Sequence, residues 1–236
     1  IHASPRRTTI VRGSPLAGGG CRRTPTMTAL RSTLSVVAWG CIMAGETTRQ
    51  RYLDAVVEHM MVRGRVDVPL VELADAAGTS DRMLVYYFKT REALLTEAVA
   101  AIRRRRQTSL ASALAKVPRS TDPVAALTAV LHGMVDVADA TGTRLVAASA
   151  GRAFQAEAPF DAFCQGSMRD AVDEAALTAR RMGADEGRAA DFGTLFAAIA
   201  SALALDLLTT GDTERVEAAI GAGASALVTT LDLPGP

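Results

Sequence analysis

Aromatic residues are scarce in this chain of 236 residues, at 4% of the total. Sandwiches and barrels draw their cores from aromatic and β-branched side chains. A chain poor in aromatics and rich in alanine reads instead as all-α. Cysteine is sparse as well: Cys21, Cys41 and Cys164 stand far apart with no CxxC pair. That argues against a disulfide scaffold and a structural zinc site, and fits a reducing cytoplasm. His2, His59 and His132 have no metal-ligand spacing. No GxSxG, HExxH or Walker motif occurs, so no catalytic residue, metal or cofactor is expected and the chain does not read as an enzyme. Gly221-x-Gly223-x-x-Ala226 fits a loose dinucleotide fingerprint, but it falls inside a predicted helix with no strand before it. Asp173 and Glu174 are helix neighbours that point apart, a poor acid–base pair. The apolar stretch nearest the start is short. The stretch from Leu34 to Gly45 has about 12 residues where a bilayer span needs roughly 20, so no membrane partner is expected.

What is present suits a packed domain. Apolar residues make up 49%, which excludes general disorder, and the length suffices to bury a sizeable core. The net charge of +1 conceals an asymmetry. Residues 1–42 hold six arginines and no acidic residue, while residues 107–236 hold nine basic and sixteen acidic residues. Ends of opposite sign suggest different partners for each.

Residues 1–42 differ from the rest. They combine arginine, proline and the run Gly18-Gly19-Gly20 with no helical period, and are expected to be a disordered extension or a non-native upstream segment. The apolar stretch behind Arg31 resembles a signal-peptide core, and Arg22-Arg23 a twin-arginine signal, but no small-residue cleavage site follows. Met27 and Met43 are both candidate starts, Met43 the better placed.

Helical signals begin at once after that. Thr47-x-x-Gln50 is a capping-box pattern, and Tyr52, Leu53, Val56, Val57, Met60 and Met61 follow at helical spacing up to Gly64. A short helix starts near Pro69, with Leu70, Leu73, Ala74 and Ala77 on one side. Gly78 supplies a turn, Ser80 a cap for a third helix with Leu84 and Phe88 inward, and Thr90 a cap for a long fourth helix. Further helices are predicted near 123–140, 144–152, 159–182, 185–210 and 213–231, punctuated by Pro118, Pro123, Pro159, Gly183 and Gly211. The run Arg103–Arg106 covers the whole circumference of a helix and reads as a solvated or interdomain surface.

Residues 69–88 carry the functional signal: helix, glycine turn, helix. A tight turn holds two short helices at a steep angle, so that the second can enter a major groove while the first braces it. The order and spacing of four features resemble the DNA-binding domain of the tetracycline-repressor (TetR/AcrR) family. They are Gly64, then Leu-x-x-Leu-Ala-x-x-Ala-Gly-x-Ser over 70–80, then Leu84-Val85-Tyr86-Tyr87-Phe88, then Lys89-Thr90-Arg91-Glu92-Ala93-Leu94-Leu95. The resemblance covers about a quarter of the chain. It implies a partner, double-stranded DNA carrying an inverted-repeat operator, and contacts from Thr79, Arg82, Met83, Val85, Tyr86, Tyr87, Lys89 and Arg91. There are departures. Val85 stands where the family usually has Tyr, Tyr87 where His is common, and Arg82 where a small residue is frequent. Val68 stands where Ser or Thr often caps the second helix, which leaves that cap to Asp67.

The resemblance further implies a helical body with an inducer pocket. Met134, Phe154, Phe160, Phe163, Cys164, Met168, Phe192 and Phe196 are its candidate walls, suited to a small, largely apolar effector, with ordinary core packing as the competing reading. The last two long helices are expected to make a homodimer as a four-helix bundle, through Ile199, Leu203, Leu207, Val216, Ile220 and Leu227. The expected organisation is therefore all-α, with residues 43–90 a DNA-binding head and 91–236 a ligand-binding and dimerisation body. The expected function is a cytoplasmic transcriptional repressor whose operator binding is altered by the effector. A ligand-independent regulator or an activator of the same fold is the alternative, and a helical enzyme a more distant one.

A chain starting at Met43 should keep the thermal stability and DNA affinity of the full chain, as measured by calorimetry and a binding titration. A loss of affinity alone, dependent on salt, would instead mark the six arginines as a DNA-binding arm.

Overall fold

The computed structural model describes residues 47–135 and 141–231. The expectations for residues 1–42, and the choice of start, lie outside the described residues. Among the described residues there are nine α-helices and no strand. They are α1 (47–63), α2 (Leu70–Ala76), α3 (Asp81–Phe88), α4 (Arg91–Leu114), α5 (Pro123–Val135), α6 (Thr141–Ala153), α7 (Phe160–Arg181), α8 (Glu186–Thr210) and α9 (Thr213–Thr230). A short 3₁₀ turn, Val117–Arg119, joins α4 to α5. The predicted all-α class is the observed one.

The helix starts follow from local chemistry. The Ser80 hydroxyl accepts from the Met83 N–H at 3.3 Å and the Thr90 hydroxyl from the Ala93 N–H at 3.0 Å. Asp185 and Asp212 do the same for α8 and α9, at 3.0 and 3.1 Å. Each such cap satisfies an amide that the first turn leaves unbonded. α2 differs, because no side chain caps it. Val68 is fully buried and Asp67 is engaged elsewhere, as described below.

Two hydrophobic cores organise the helices. The first joins the inner faces of α1 (Tyr52, Leu53, Val56, Val57, Met60), α2 (Leu73, Ala74) and α3 (Leu84, Phe88) to Leu94–Ile102 of α4. Leu145 of α6 and Phe160 and Phe163 of α7 complete it. The second gathers Leu114 with α5, the second half of α7, α8 and α9. α4 therefore belongs to both cores, and the expected division at residue 90 does not separate the packing. Arg103 of α4 reinforces this with a two-pronged ion pair to Asp170 of α7, at 2.7 and 2.8 Å. The first of the four consecutive arginines thus ties α4 to α7.

The α7–α8 crossing is close enough to require glycine. A Cβ on Gly193 would lie 2.5 Å from the Val172 carbonyl oxygen and 3.1 Å from the Ala176 Cβ. Such a separation is below any van der Waals contact, so a side chain there would push the two helices apart.

Candidate nucleic-acid interface

Gly78 makes the turn between α2 and α3. Its φ is +64°, a left-handed conformation open to glycine at little cost. The Gly78 N–H donates to the Asp75 carbonyl at 3.0 Å and the Thr79 N–H to the Ala74 carbonyl at 2.9 Å, closing the end of α2. α3 then has only eight residues. Two of them, Leu84 and Phe88, lie one turn apart and are buried against α1, α2 and α4. Pinning one edge of so short a helix leaves the opposite edge to solvent.

That outer edge carries Arg82, exposed, with Met83 37%, Val85 40% and Tyr86 67% exposed. A guanidinium can donate two bonds to a guanine edge, and apolar side chains can contact a thymine methyl. A phenol can donate to phosphate. Lys89 follows at φ +71°, with the Thr90 N–H donating to the Phe88 carbonyl at 2.9 Å across it. This is a tight γ-turn with positive φ, costly for a residue with a side chain, by ~1–3 kcal/mol. The buried Phe88 on one side and the Thr90 cap on the other hold it in place. The Lys89 ammonium donates to the Tyr86 carbonyl at 3.3 Å and lies 5.8 Å from the Tyr86 ring centre, with its charge still in solvent.

Three of the expected contact residues sit differently. Tyr87 is half-buried, edge-on to Tyr52 with ring centres 5.6 Å apart. The Thr79 hydroxyl bonds to the Tyr52 phenol and, with Arg51 beside it, holds that phenol below its ordinary pKa against the opposing effect of burial. Arg91 turns inward: its guanidinium donates to the Val68 carbonyl at 3.2 and 3.0 Å and to Asp67 at 3.2 Å. These three residues join segments of the head to one another. The freely presented set is Arg82, Met83, Val85, Tyr86 and Lys89.

Sequence reasoning passed over Arg49 and Arg51. Arg49 donates to the Tyr87 carbonyl at 3.3 Å, stacks 4.6 Å over the Phe88 ring and pairs with Glu97. Arg51 lies over the Tyr52 ring at 5.4 Å. Arg49 thus ties α1 to the end of α3 and to α4, while Arg51 stays on its own helix. No motif or spacing connects residue 49 to residues 87 and 97, so no local signal marks them.

The expected pocket residues do not share one cavity. Phe160, Phe163 and Cys164 pack in or against the first core, while Phe192, Phe196 and Met134 pack in or against the second. Phe192 and Phe196 stack on each other at 6.3 Å. Phe154 is 91% exposed and Met168 lies on the surface of α7. The physical reason is that α6 ends just before Phe154, which lies in the connection and not on an inner face.

The expected interface residues pack largely within their own chain. Val216, Ile220, Leu227 and Leu207 are buried within their own chain, and Ile199 and Leu203 are half-buried against the same core. The outer stripe of α8 is instead Leu195, Ala198, Ala202 and Leu205, and that of α9 is Ala218, Ala222 and Ala226.

No protein-family model matches the sequence, and no curated protein matches it. Solved structures do match the fold. A crystal structure from Mesorhizobium loti, described as that of a TetR-family transcriptional regulator, aligns with a TM-score of 0.62 at 14% identity, covering 78% of this chain and 96% of its own. A transcriptional regulator from Rhodococcus aligns with a TM-score of 0.61 at 22% identity, covering 79% of this chain and 99% of its own. The chain thus has the all-α fold of TetR-type regulators, a helix-turn-helix head continuous with a helical body.

The positions of Arg91 and Arg82 predict opposite behaviour on substitution. Arg91→Ala strands a buried carbonyl and should lower stability by ~1–2 kcal/mol. Arg82→Ala should leave the urea midpoint where it is, because nothing packs on that face. Urea melts with unchanged m-values check both.

Proposed function

We propose that the chain is a DNA-binding transcriptional regulator, acting in the cytoplasm as a homodimeric repressor. The observation that carries this reading is the outer edge of α3. Arg82, Met83, Val85 and Tyr86 contribute nothing to the core, yet Ser80, Leu84 and Phe88 hold them rigidly on one face. A surface so held and so unused internally suits a major groove, with Lys89 at its rim for phosphate. The shared fold supports the reading.

The dimer rests on α8. By length and composition this helix could cross a membrane, yet it packs Phe192, Phe196, Ala200 and Leu207 into the second core. Only 33% of its most apolar window is buried in one chain. A second copy would cover the remainder, with the outer stripes of α8 and α9 packing against their own equivalents in an isologous four-helix bundle. Alanines along both stripes permit a close approach.

Repression by occupancy of an operator follows most simply from such a dimer. A small apolar effector is the reading that the family resemblance carries. One observation favours the ligand-independent alternative: four of the five aromatic side chains proposed as pocket walls fill two separate cores. Thermal-shift screening with small apolar compounds separates the two. A saturable rise in Tm together with release of DNA supports an effector.

The DNA reading is tested by selecting bound fragments from random or genomic duplexes. The recovered sites should be inverted repeats with half-sites about 34–36 Å apart, or a multiple of one turn. Arg82→Ala should weaken the recovered site by ~1–3 kcal/mol per half-site and relax preference at one base pair. Lys89→Ala should weaken all duplexes alike and flatten the salt dependence. If Arg82→Ala, Lys89→Ala and Tyr86→Ala together leave affinity unchanged in a folded dimer, the interface lies elsewhere.

Ala202→Glu with Leu205→Glu should give folded monomers by sedimentation. These side chains lie outside the chain's own core, so a folded dimer carrying both changes would reject this face.

A further inference from the structure

An ion-pair cluster joins the head to the body at a point that the DNA-contact reading leaves unused. Its centre is Asp67, in the segment between α1 and α2. One oxygen of that carboxylate accepts from Arg91, the first residue of α4, at 3.2 Å, and faces Arg152, near the end of α6, at 3.3 Å. Arg152 is itself fixed by Glu157, at 2.6 Å through its Nε and by a second contact through its Nη2. It also lies 5.2 Å over the ring of Phe160, the first residue of α7. Arg65 donates to the Asp67 carbonyl at 3.1 Å and holds the backbone of the segment. An open cleft runs along this line, walled by Arg65, Val66, Asp67, Ala148, Arg152 and Glu157.

We propose that Asp67 and Arg152 form a latch that sets the angle of the helix-turn-helix head on the body, and so tunes DNA affinity through the corner between α6 and α7. The proposal rests on the DNA-binding reading for its consequence, but not for its geometry. Among the described residues, Asp67 is the carboxylate that touches both the start of α4, at Arg91, and the end of α6, at Arg152. The pairing with Arg152 holds the Glu157 carboxyl below its usual range and pushes the Arg152 guanidinium up, so each stays charged. Asp67 is 75% exposed. A pair so exposed adds little to folding, but the head needs only a small bias between neighbouring angles. Any change that repositions the α6–α7 corner, including the exposed Phe154 two residues beyond Arg152, would act on the head through this carboxylate.

The test compares Asp67→Asn, Arg152→Gln and the double variant on the duplex recovered by selection. A latch predicts that both single changes move the dissociation constant in the same direction, by about threefold to tenfold, and that the double variant matches the singles. Simple charge effects predict the reverse. Losing a negative charge strengthens DNA binding, losing a positive one weakens it, and the double variant returns to the start. That pattern overturns the latch.

A second readout needs no DNA. Spin labels on Val71→Cys and Phe154→Cys, in a chain with Cys21, Cys41 and Cys164 changed to Ser and diluted with unlabelled chain, report the head-to-body distance. The distribution should shift or broaden in both single variants, and an unchanged distribution overturns the latch. If the distribution responds but no specific duplex is ever recovered, the latch stands and the regulatory function fails.

Discussion

One helix, α4, is shared by two hydrophobic cores, and the rest of the architecture depends on that sharing. Its first turns bury Leu94, Leu95, Ala98 and Ile102 against the helix-turn-helix unit, while Leu114 at its far end is buried in the body. An α-helix of 24 residues is about 36 Å long and bends little over that length. The head therefore cannot tilt independently of α4, and α4 cannot tilt without disturbing one core or the other. Arg103, paired to Asp170 midway, narrows the freedom further. What remains is a rotation small enough to be biased by a few polar contacts at the head's edge, where Asp67, Arg91 and Arg152 meet. A two-core protein with one common strut is stiff along the strut and soft around it.

The outer edge of α3 is defined by what the first core does not take up. α3 is too short to hold its own conformation, since isolated helices of this length are unstable in water. Its order comes from the Ser80 cap, the buried Leu84 and Phe88, and the cation of Arg49 stacked over Phe88. The γ-turn at Lys89 is the cost of joining α3 to α4 with only two intervening residues. That cost is met by Phe88 burial and by the Thr90 cap, so the outward side chains are placed by packing on their far side. This explains why Arg82 and Tyr86 can be exposed and still ordered in direction.

Those parts of the fold that obey local rules were legible in the sequence. Ser80, Thr90, Asp185 and Asp212 sit where capping chemistry puts a helix start, and Leu73, Ala74, Leu84 and Phe88 lie at the spacing that one buried face demands. The illegible parts involve a choice between faces or a meeting of distant segments. α8 is apolar on nearly every side, so its periodicity cannot say which stripe its own chain covers. Leu207 lies inside and Leu205 outside, two residues apart. Arg91 belongs to a string that matches a DNA-contact pattern, yet it turns toward Val68, 23 residues earlier. Thr79 and Tyr52 meet across a similar gap. Phe154 falls in the cluster of aromatics between 154 and 196 that the resemblance makes candidate pocket walls, yet the end of α6 places it in solvent.

Charge distribution sets the direction from which a duplex can approach. Residues 107–236 carry nine basic and sixteen acidic side chains, so the body repels a polyanion at long range. The head presents Arg49, Arg51, Arg82 and Lys89 around α3. Residues 47–90 hold six basic and six acidic side chains, so the head has no net charge, and attraction for a polyanion is local to the edge of α3, decaying over a Debye length of about 8 Å at physiological salt. A local attraction of this kind does not choose a sequence; on the proposed reading that choice falls to the outer edge of α3, whose side chains are directed by Leu84 and Phe88 on the buried side.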